Sequence, residues 1–123
     1  MKKFEPATAT TSINKCLDVL SNESCALIVF YHTKEISGML QLQKIRFSLS
    51  FEQHQFSNLL AVCENKKESA GQFKIFKHPD EFYPIILQIS NDVRLFLSEK
   101  EWQDICNVMV QTKVKYCAPA LTT

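Results

Sequence analysis

The chain has 123 residues, of which 46% are hydrophobic and 22% charged, a composition typical of one ordinary globular domain. Fourteen lysine and arginine residues against thirteen aspartate and glutamate residues give a formal charge of +1, so no basic excess favours nucleic-acid binding. Two glycines, Gly38 and Gly71, are too few for a glycine-rich phosphate loop, and no apolar run is long enough to cross a membrane.

Cysteine usage points to a reducing environment. The five cysteines are an odd number without a Cys-x-x-Cys pair, which fits neither a disulfide framework nor a zinc site. We therefore expect a cytoplasmic protein without a metal ion or cofactor. Cys63 and Cys106 fall on the apolar faces of two predicted helices, where a free thiol usually behaves as a small hydrophobic side chain.

The first half of the chain is predicted to be mainly strands. Residues 1–11 lack periodicity and are expected to form a flexible arm. Residues 13–20 fit a short helix or a strand, and a strand is favoured because a hairpin loop then follows. The β-branched and aromatic run at 26–31 predicts a buried central strand. After a loop through 34–38, alternating apolar residues predict strands at 39–43 and 45–49.

Two serines are predicted to start helices. Ser50 with Gln53, and Ser98 with Glu101, have the spacing of a capping box, in which the serine hydroxyl accepts from the N–H three residues later. Apolar residues at the spacing of one helical face follow each serine. Between the two helices the pattern predicts strands at 73–76, 84–90 and 93–97, and a tail at 118–123 is expected to fray.

The order of hairpin and capped helix occurs twice, with an offset of 48 residues that pairs Arg46 with Arg94. We predict an internally duplicated α+β domain over residues 12–117, with repeats at about 25–67 and 72–116; convergent use of the same local rules is the alternative. The hairpin–helix units are expected to form a two-layer, mostly antiparallel sheet with two helices on one face. The predicted core comprises Leu40, Leu42, Ile45, Phe47, Leu49, Phe56, Leu60, Leu87, Ile89, Val93, Leu95, Leu97, Trp102, Ile105 and Met109.

The strand face opposite the helices is the first candidate site. Arg46 and Arg94 occupy matched positions there, near Gln41 and Gln88, and two converging guanidinium groups can hold an anion. An ordinary solvated sheet face is the alternative. Ile86 and Phe96 are predicted to point the same way, and apolar side chains suit a homodimer interface better than a small-ligand site.

A second candidate site is the loop that contains His78, Asp80 and Glu81. A histidine beside two carboxylates has the groups needed for acid–base chemistry or metal binding, but an exposed proline-initiated turn has the same composition. No segment shows a nucleophile with a matching base, so no catalytic residue is assigned.

The sequence favours a small non-enzymatic cytoplasmic module for binding or oligomerisation, whose partner is a second copy of itself in a homodimer rather than a nucleic acid or a membrane. The alternative is a small ligand-binding protein or acid–base enzyme with a cleft between the two repeats. Arg46, Arg94 and His78 would then face a small anionic ligand.

Overall fold

The computed structural model describes residues 15–32, 35–65 and 67–117. The predicted arm at 1–11 and tail at 118–123 lie outside these residues. The described residues form two antiparallel sheets of four strands, each followed in the chain by a helix. The elements are β1 (Lys15–Ser21), β2 (Cys25–His32), β3 (Glu35–Leu42), β4 (Phe47–Phe51), α1 (Gln53–Cys63), β5 (Ser69–Ala70), β6 (Phe73–Lys77), β7 (Ile85–Ser90), β8 (Val93–Leu97), α2 (Glu99–Thr112) and a π-helical turn (Lys113–Cys117).

The strands in each sheet follow the order of the chain, β1-β2-β3-β4 and β5-β6-β7-β8. The prediction of an α+β protein with mostly antiparallel sheet is therefore confirmed. The favoured strand near the N-terminus is also present, because β1 pairs with β2 across a short hairpin loop. Among the described residues no helix is both long enough and apolar enough to span a membrane.

The hairpin between β3 and β4 differs from the predicted one. β3 begins at Glu35, within the predicted loop, and residues 43–46 form the turn. Ile45 and Arg46, both predicted to lie in a strand, are in this turn, and Arg46 has a left-handed φ of 51°. Ile45 is 49% exposed rather than part of the core. Apolar alternation alone does not mark a strand end, because a turn residue can continue the pattern by chance.

The predicted start of α1 at Ser50 is wrong. Ser50 lies in β4 opposite Met39, and the N-cap residue is Glu52. The backbone N–H of Glu52 donates to Oε1 of Gln55 at 2.9 Å. The strand continues past Ser50 because the next residue, Phe51, is 5% exposed and packs into the core.

The predicted start of α2 at Ser98 is confirmed. The backbone N–H of Glu101 donates to the Ser98 hydroxyl at 3.1 Å, and the N–H of Ser98 donates to Oε1 of Glu101 at 2.9 Å. Both hydrogen bonds of a capping box are therefore present.

One hydrophobic cluster joins both sheets and both helices. α1 contacts β3 and β4 of the first sheet and β5 and β6 of the second, whereas α2 contacts β1 and β2 of the first sheet and β8 of the second. Most of the predicted core residues are buried in this cluster. Phe47, Leu49, Leu60 and Trp102 are half-buried at its edge. Val93, predicted to be in the core, is 37% exposed; it is the first residue of β8 and pairs with Ser90, next to a bulge in β7.

A polar contact fixes α2 to the first hairpin. The Ser24 hydroxyl donates to Oδ2 of Asp104 at 2.6 Å, and the Lys100 ammonium donates to the same oxygen at 2.9 Å. These two hydrogen bonds, that of Ser24 first, lower the pKa of the Asp104 carboxyl. The Asn22 amide adds a hydrogen bond to the Asp104 carbonyl oxygen at 3.0 Å. The end of α2 that follows Ser98 is thus held against the first sheet.

A second polar contact covers the outer edge of the first sheet. The Tyr116 hydroxyl, in the π-helical turn, donates to Oδ2 of Asp18 in β1 at 2.8 Å, and Lys115 forms an ion pair with the same oxygen. The Lys115 hydrogen bond is the main cause that lowers the pKa of the Asp18 carboxyl. The C-terminal end of the described chain therefore packs beside the edge strand β1.

Candidate functional site: the outer face of the second sheet

The strands β6, β7 and β8 bring three large apolar side chains into one row. Phe76 lies opposite Ile86, and Ile86 lies opposite Phe96. These residues alternate with Ile75, Leu87 and Leu95, which point to the core, so the row lies on the outer face of the sheet. Phe76 is 40% exposed and Phe96 is 49% exposed. We call Phe76, Ile86 and Phe96 the apolar row.

A second row, two residues away along each strand, carries polar side chains. Lys74 lies opposite Gln88, and Gln88 lies opposite Arg94. Nε of Arg94 donates to Oε1 of Gln88 at 3.0 Å, and the Arg94 guanidinium carbon lies 5.7 Å from the centre of the Phe76 ring. The arginine side chain thus extends across β7, and its hydrogen-bond partner Gln88 is only 7% exposed. We call Lys74, Gln88 and Arg94 the polar row.

The loop 78–84 borders the apolar row on the side opposite the polar row. The backbone N–H of His78 donates to the Pro84 carbonyl oxygen at 2.8 Å, and the His78 ring meets the Phe96 ring edge-on with 5.4 Å between centroids. Oδ2 of Asp80 accepts from the backbone N–H of Tyr83 at 3.3 Å, as expected for a turn. Within the described residues, no hydrogen bond or ion pair joins the His78 ring to Asp80 or Glu81. The loop therefore has the contacts of a structured turn.

The structure divides the predicted site residues into two groups. Arg94, Gln88 and His78 lie on the outer face of the second sheet. Arg46 and Gln41 instead line a shallow cavity of about 390 Å³ on the first sheet, next to Ser48. Among the described interactions none joins Arg46 to Arg94. Arg46 lies in the turn between β3 and β4, whereas Arg94 lies in β8.

The junction between the two sheets encloses little space. A cavity of about 30 Å³ lies between Leu42 of the first sheet and Leu97 of the second. The Lys44 ammonium lies 3.1 Å from a Glu101 carboxylate oxygen at its rim. A volume of this size holds about one water molecule.

The larger concave region lies at the side of α2, where two cavities of about 500 and 350 Å³ both meet Trp102. Lys77 and Ile85 also line both cavities, and Cys63 and Cys106 line the smaller one. Sequence analysis placed Trp102 in the core, but its half-buried ring instead lies at the boundary between the core and this groove.

Sequence analysis missed Lys74 and Phe76 as part of the outer face. The signal was present in the segment 73–76, where Phe73 and Ile75 alternate with Lys74 and Phe76. A strand with this alternation must turn one aromatic side chain outward. Pairing Phe76 with Ile86, however, requires the register of β6 on β7, which depends on the length of the loop 78–84 and on tertiary packing.

No histidine, cysteine or carboxylate cluster of three or more residues in the described part of the chain is arranged to hold a metal ion. No protein-family model, no curated protein and no solved structure matches the chain.

Proposed function

We propose that the protein is a small non-enzymatic binding module that associates with a second copy of itself through the outer face of the second sheet. The observation that supports this proposal is the apolar row, in which two phenylalanines and an isoleucine lie side by side and partly exposed. Contiguous exposed apolar residues are typical of interaction surfaces, and aromatic and arginine side chains are enriched in interface cores.

The charges around the apolar row favour a second copy as the partner. Lys74 and Arg94 lie on one side of the row, whereas the loop 78–84 on the other side carries Asp80 and Glu81. A two-fold axis that lies in the interface along the apolar row would place the apolar row of one copy against the apolar row of the other. The same rotation would set the cations of one subunit opposite the acidic loop of the other. The surface is in this sense complementary to itself.

The proposal includes the finer arrangement predicted from sequence. Two duplicated units, each with four strands and a helix, would form two layers with both helices on one face of the sheets. The opposite face would then stay free for a partner. β8 is an edge strand of the second sheet, and both Arg94 and Phe96 on it are exposed.

Light scattering coupled to size-exclusion chromatography tests the proposal. We expect a dimer at tens of micromolar for the wild-type chain and a monomer for Phe96→Glu, which places a charge within the apolar row. Val19→Glu is the matched control, because Val19 is 52% exposed on β1 in the other sheet. Circular dichroism checks that each variant is folded. A wild-type monomer, or equal dissociation by both variants, would overturn the proposal.

A further inference from the structure

Two cysteines lie on the two helices that are in contact with each other. Cys63 is the last residue of α1, and Cys106 lies in the middle of α2. Both side chains line one cavity beside α2, and both are free thiols. α1 and α2 are in direct contact, so a bond between these sulfur atoms would join the two helices covalently.

Both thiols can be reached by a small solute. Cys63 and Cys106 line the cavity of about 350 Å³ beside α2, together with Trp102 and Lys77. Their exposure differs, because Cys106 is half-buried and Cys63 is 6% exposed. A reagent that enters the cavity therefore meets Cys106 first.

The two sulfur atoms also differ in their surroundings. The neighbouring Cys106 thiol, followed by burial, raises the pKa of the Cys63 thiol well above its ordinary value. Cys63 is thus held as a protonated thiol next to its partner. Cys25, a third buried thiol, has its pKa raised to about 11, mainly by burial, and its sulfur donates to the Asn22 side-chain oxygen at 3.6 Å. The Cys25 thiol therefore has Asn22 as its hydrogen-bond partner.

We infer that Cys63 and Cys106 form a redox modification site, in which a peroxide converts the thiol pair into a disulfide that links α1 to α2. The Cys106 sulfur attacks one oxygen of hydrogen peroxide, the O–O bond breaks, and a sulfenic acid and one water form. The Cys63 sulfur then attacks the Cys106 sulfur, the S–O bond breaks, and a second water leaves. Two thiols lose two electrons and two protons, and the peroxide is reduced to two waters.

The linkage would act on the whole fold, since each helix packs against both sheets. The disulfide would close a loop that contains β5 to β8 and would restrict the unfolded chain. This inference does not depend on self-association, and it can be examined equally well in the monomeric Phe96→Glu variant.

The experiment treats the full-length chain with hydrogen peroxide, alkylates the remaining thiols and maps the peptides by mass spectrometry. We expect a linked peptide pair that contains Cys63 and Cys106, a higher melting temperature, and reversal of both by dithiothreitol. In Cys63→Ala the Cys106 sulfenic acid should persist and react with dimedone. Cys25→Ala is the matched control and should still form the linked pair.

Three results would overturn the inference. One is the accumulation of sulfinic or sulfonic acid at Cys106 in the wild-type chain without a linked peptide. Another is thiol loss explained only by disulfides that involve Cys16 or Cys117. The third is an identical dimedone reaction at Cys106 with and without Cys63. If Cys63→Ala does not fold, the linked peptide in the wild-type and Cys25→Ala chains still decides the question.

Discussion

The guanidinium carbon of Arg94 lies 5.7 Å from the centre of the Phe76 ring, although β7 separates the strands that carry these two residues. The same guanidinium donates to Gln88, so a single side chain spans the width of the three strands. A planar cation that contacts an aromatic ring and donates to an amide is an arrangement that arginine satisfies and lysine does not. Arg94 therefore links the polar row to the apolar row on the outer face of the second sheet.

Removal of the Arg94 side chain should destabilise the protein. Arg94→Ala leaves the Oε1 atom of the 93%-buried Gln88 without its hydrogen bond, which costs about 1 kcal/mol in the free energy of unfolding. Arg94→Lys should recover only part of this loss, because an ammonium group lacks the planar fork. Urea unfolding provides the measurement. Lys74→Ala, in the same row but exposed, should change the free energy by less than about 0.5 kcal/mol; a similar loss for both variants would contradict the assigned role.

The proposed dimer should depend on charge. Arg94→Glu places a carboxylate opposite the acidic loop of the second copy, and we expect the dimer Kd to rise about tenfold at low salt. The double change Arg94→Glu with Glu81→Arg should restore part of the affinity, because the attraction returns with opposite signs. Sedimentation equilibrium at low and high salt measures both effects. If the double variant is weaker than Arg94→Glu alone, the proposed orientation of the two copies is wrong.

The contact between Ser24 and Asp104 predicts a pH dependence of stability. The pKa of Asp104 is lower in the folded than in the unfolded chain, so the ionised carboxylate stabilises the folded state. This stabilisation is complete at neutral pH and is lost as the pH falls from about 5 through the folded pKa. The free energy of unfolding should differ less between pH 7 and acid pH for Asp104→Asn than for the wild-type chain. For Ser24→Ala the change in the free energy of unfolding with pH should be intermediate. If both variants show the same change as the wild-type chain, the stabilising role of the Asp104 carboxylate is refuted.

Gly71 connects β5 to β6 with a left-handed φ of 59°. A Cβ atom at this position would lie 2.2 Å from Nδ2 of Asn58 in α1, so an alanine meets both backbone strain and a steric clash. Gly71→Ala should lower the free energy of unfolding by about 2 kcal/mol. The double variant Asn58→Ala with Gly71→Ala should lose less free energy of unfolding than the two single variants together. The double change relieves the clash, whereas the backbone strain remains. Strictly additive losses, measured by thermal or urea unfolding, would show that the side chain of Asn58 moves aside without cost.

Local rules predicted some elements correctly and failed at others for identifiable reasons. Ser98 begins a helix because both polar partners of its capping box are nearby and Leu97 before it ends the strand. Ser50 has the same spacing to Gln53, but Phe51 fills a place in the core and extends β4 by one residue. A capping box is a short-range signal with an energy of about 1 kcal/mol, and the burial of a phenylalanine exceeds it.

The candidate site was predictable only in part. Alternation along the strands placed Arg94 and Phe96 on one outer face, and the structure brings both to the same surface. The inclusion of Phe76 required the pairing of β6 with β7, which no local pattern specifies. Arg46 was assigned to the same site because it matches Arg94 in sequence, but a left-handed turn residue has no strand face to share.

The packing of each helix across both sheets determines how the chain can be divided. α2 lies on β1 and β2, which come from the opposite end of the sequence, and α1 lies on β5 and β6, which follow it. If the backbone is cut between α1 and β5, each fragment leaves part of its apolar surface uncovered, because each helix also packs against strands of the other fragment. The two fragments should therefore fold only when they meet. The protein is suited to complementation assays in which reassembly reports that two attached partners are close together.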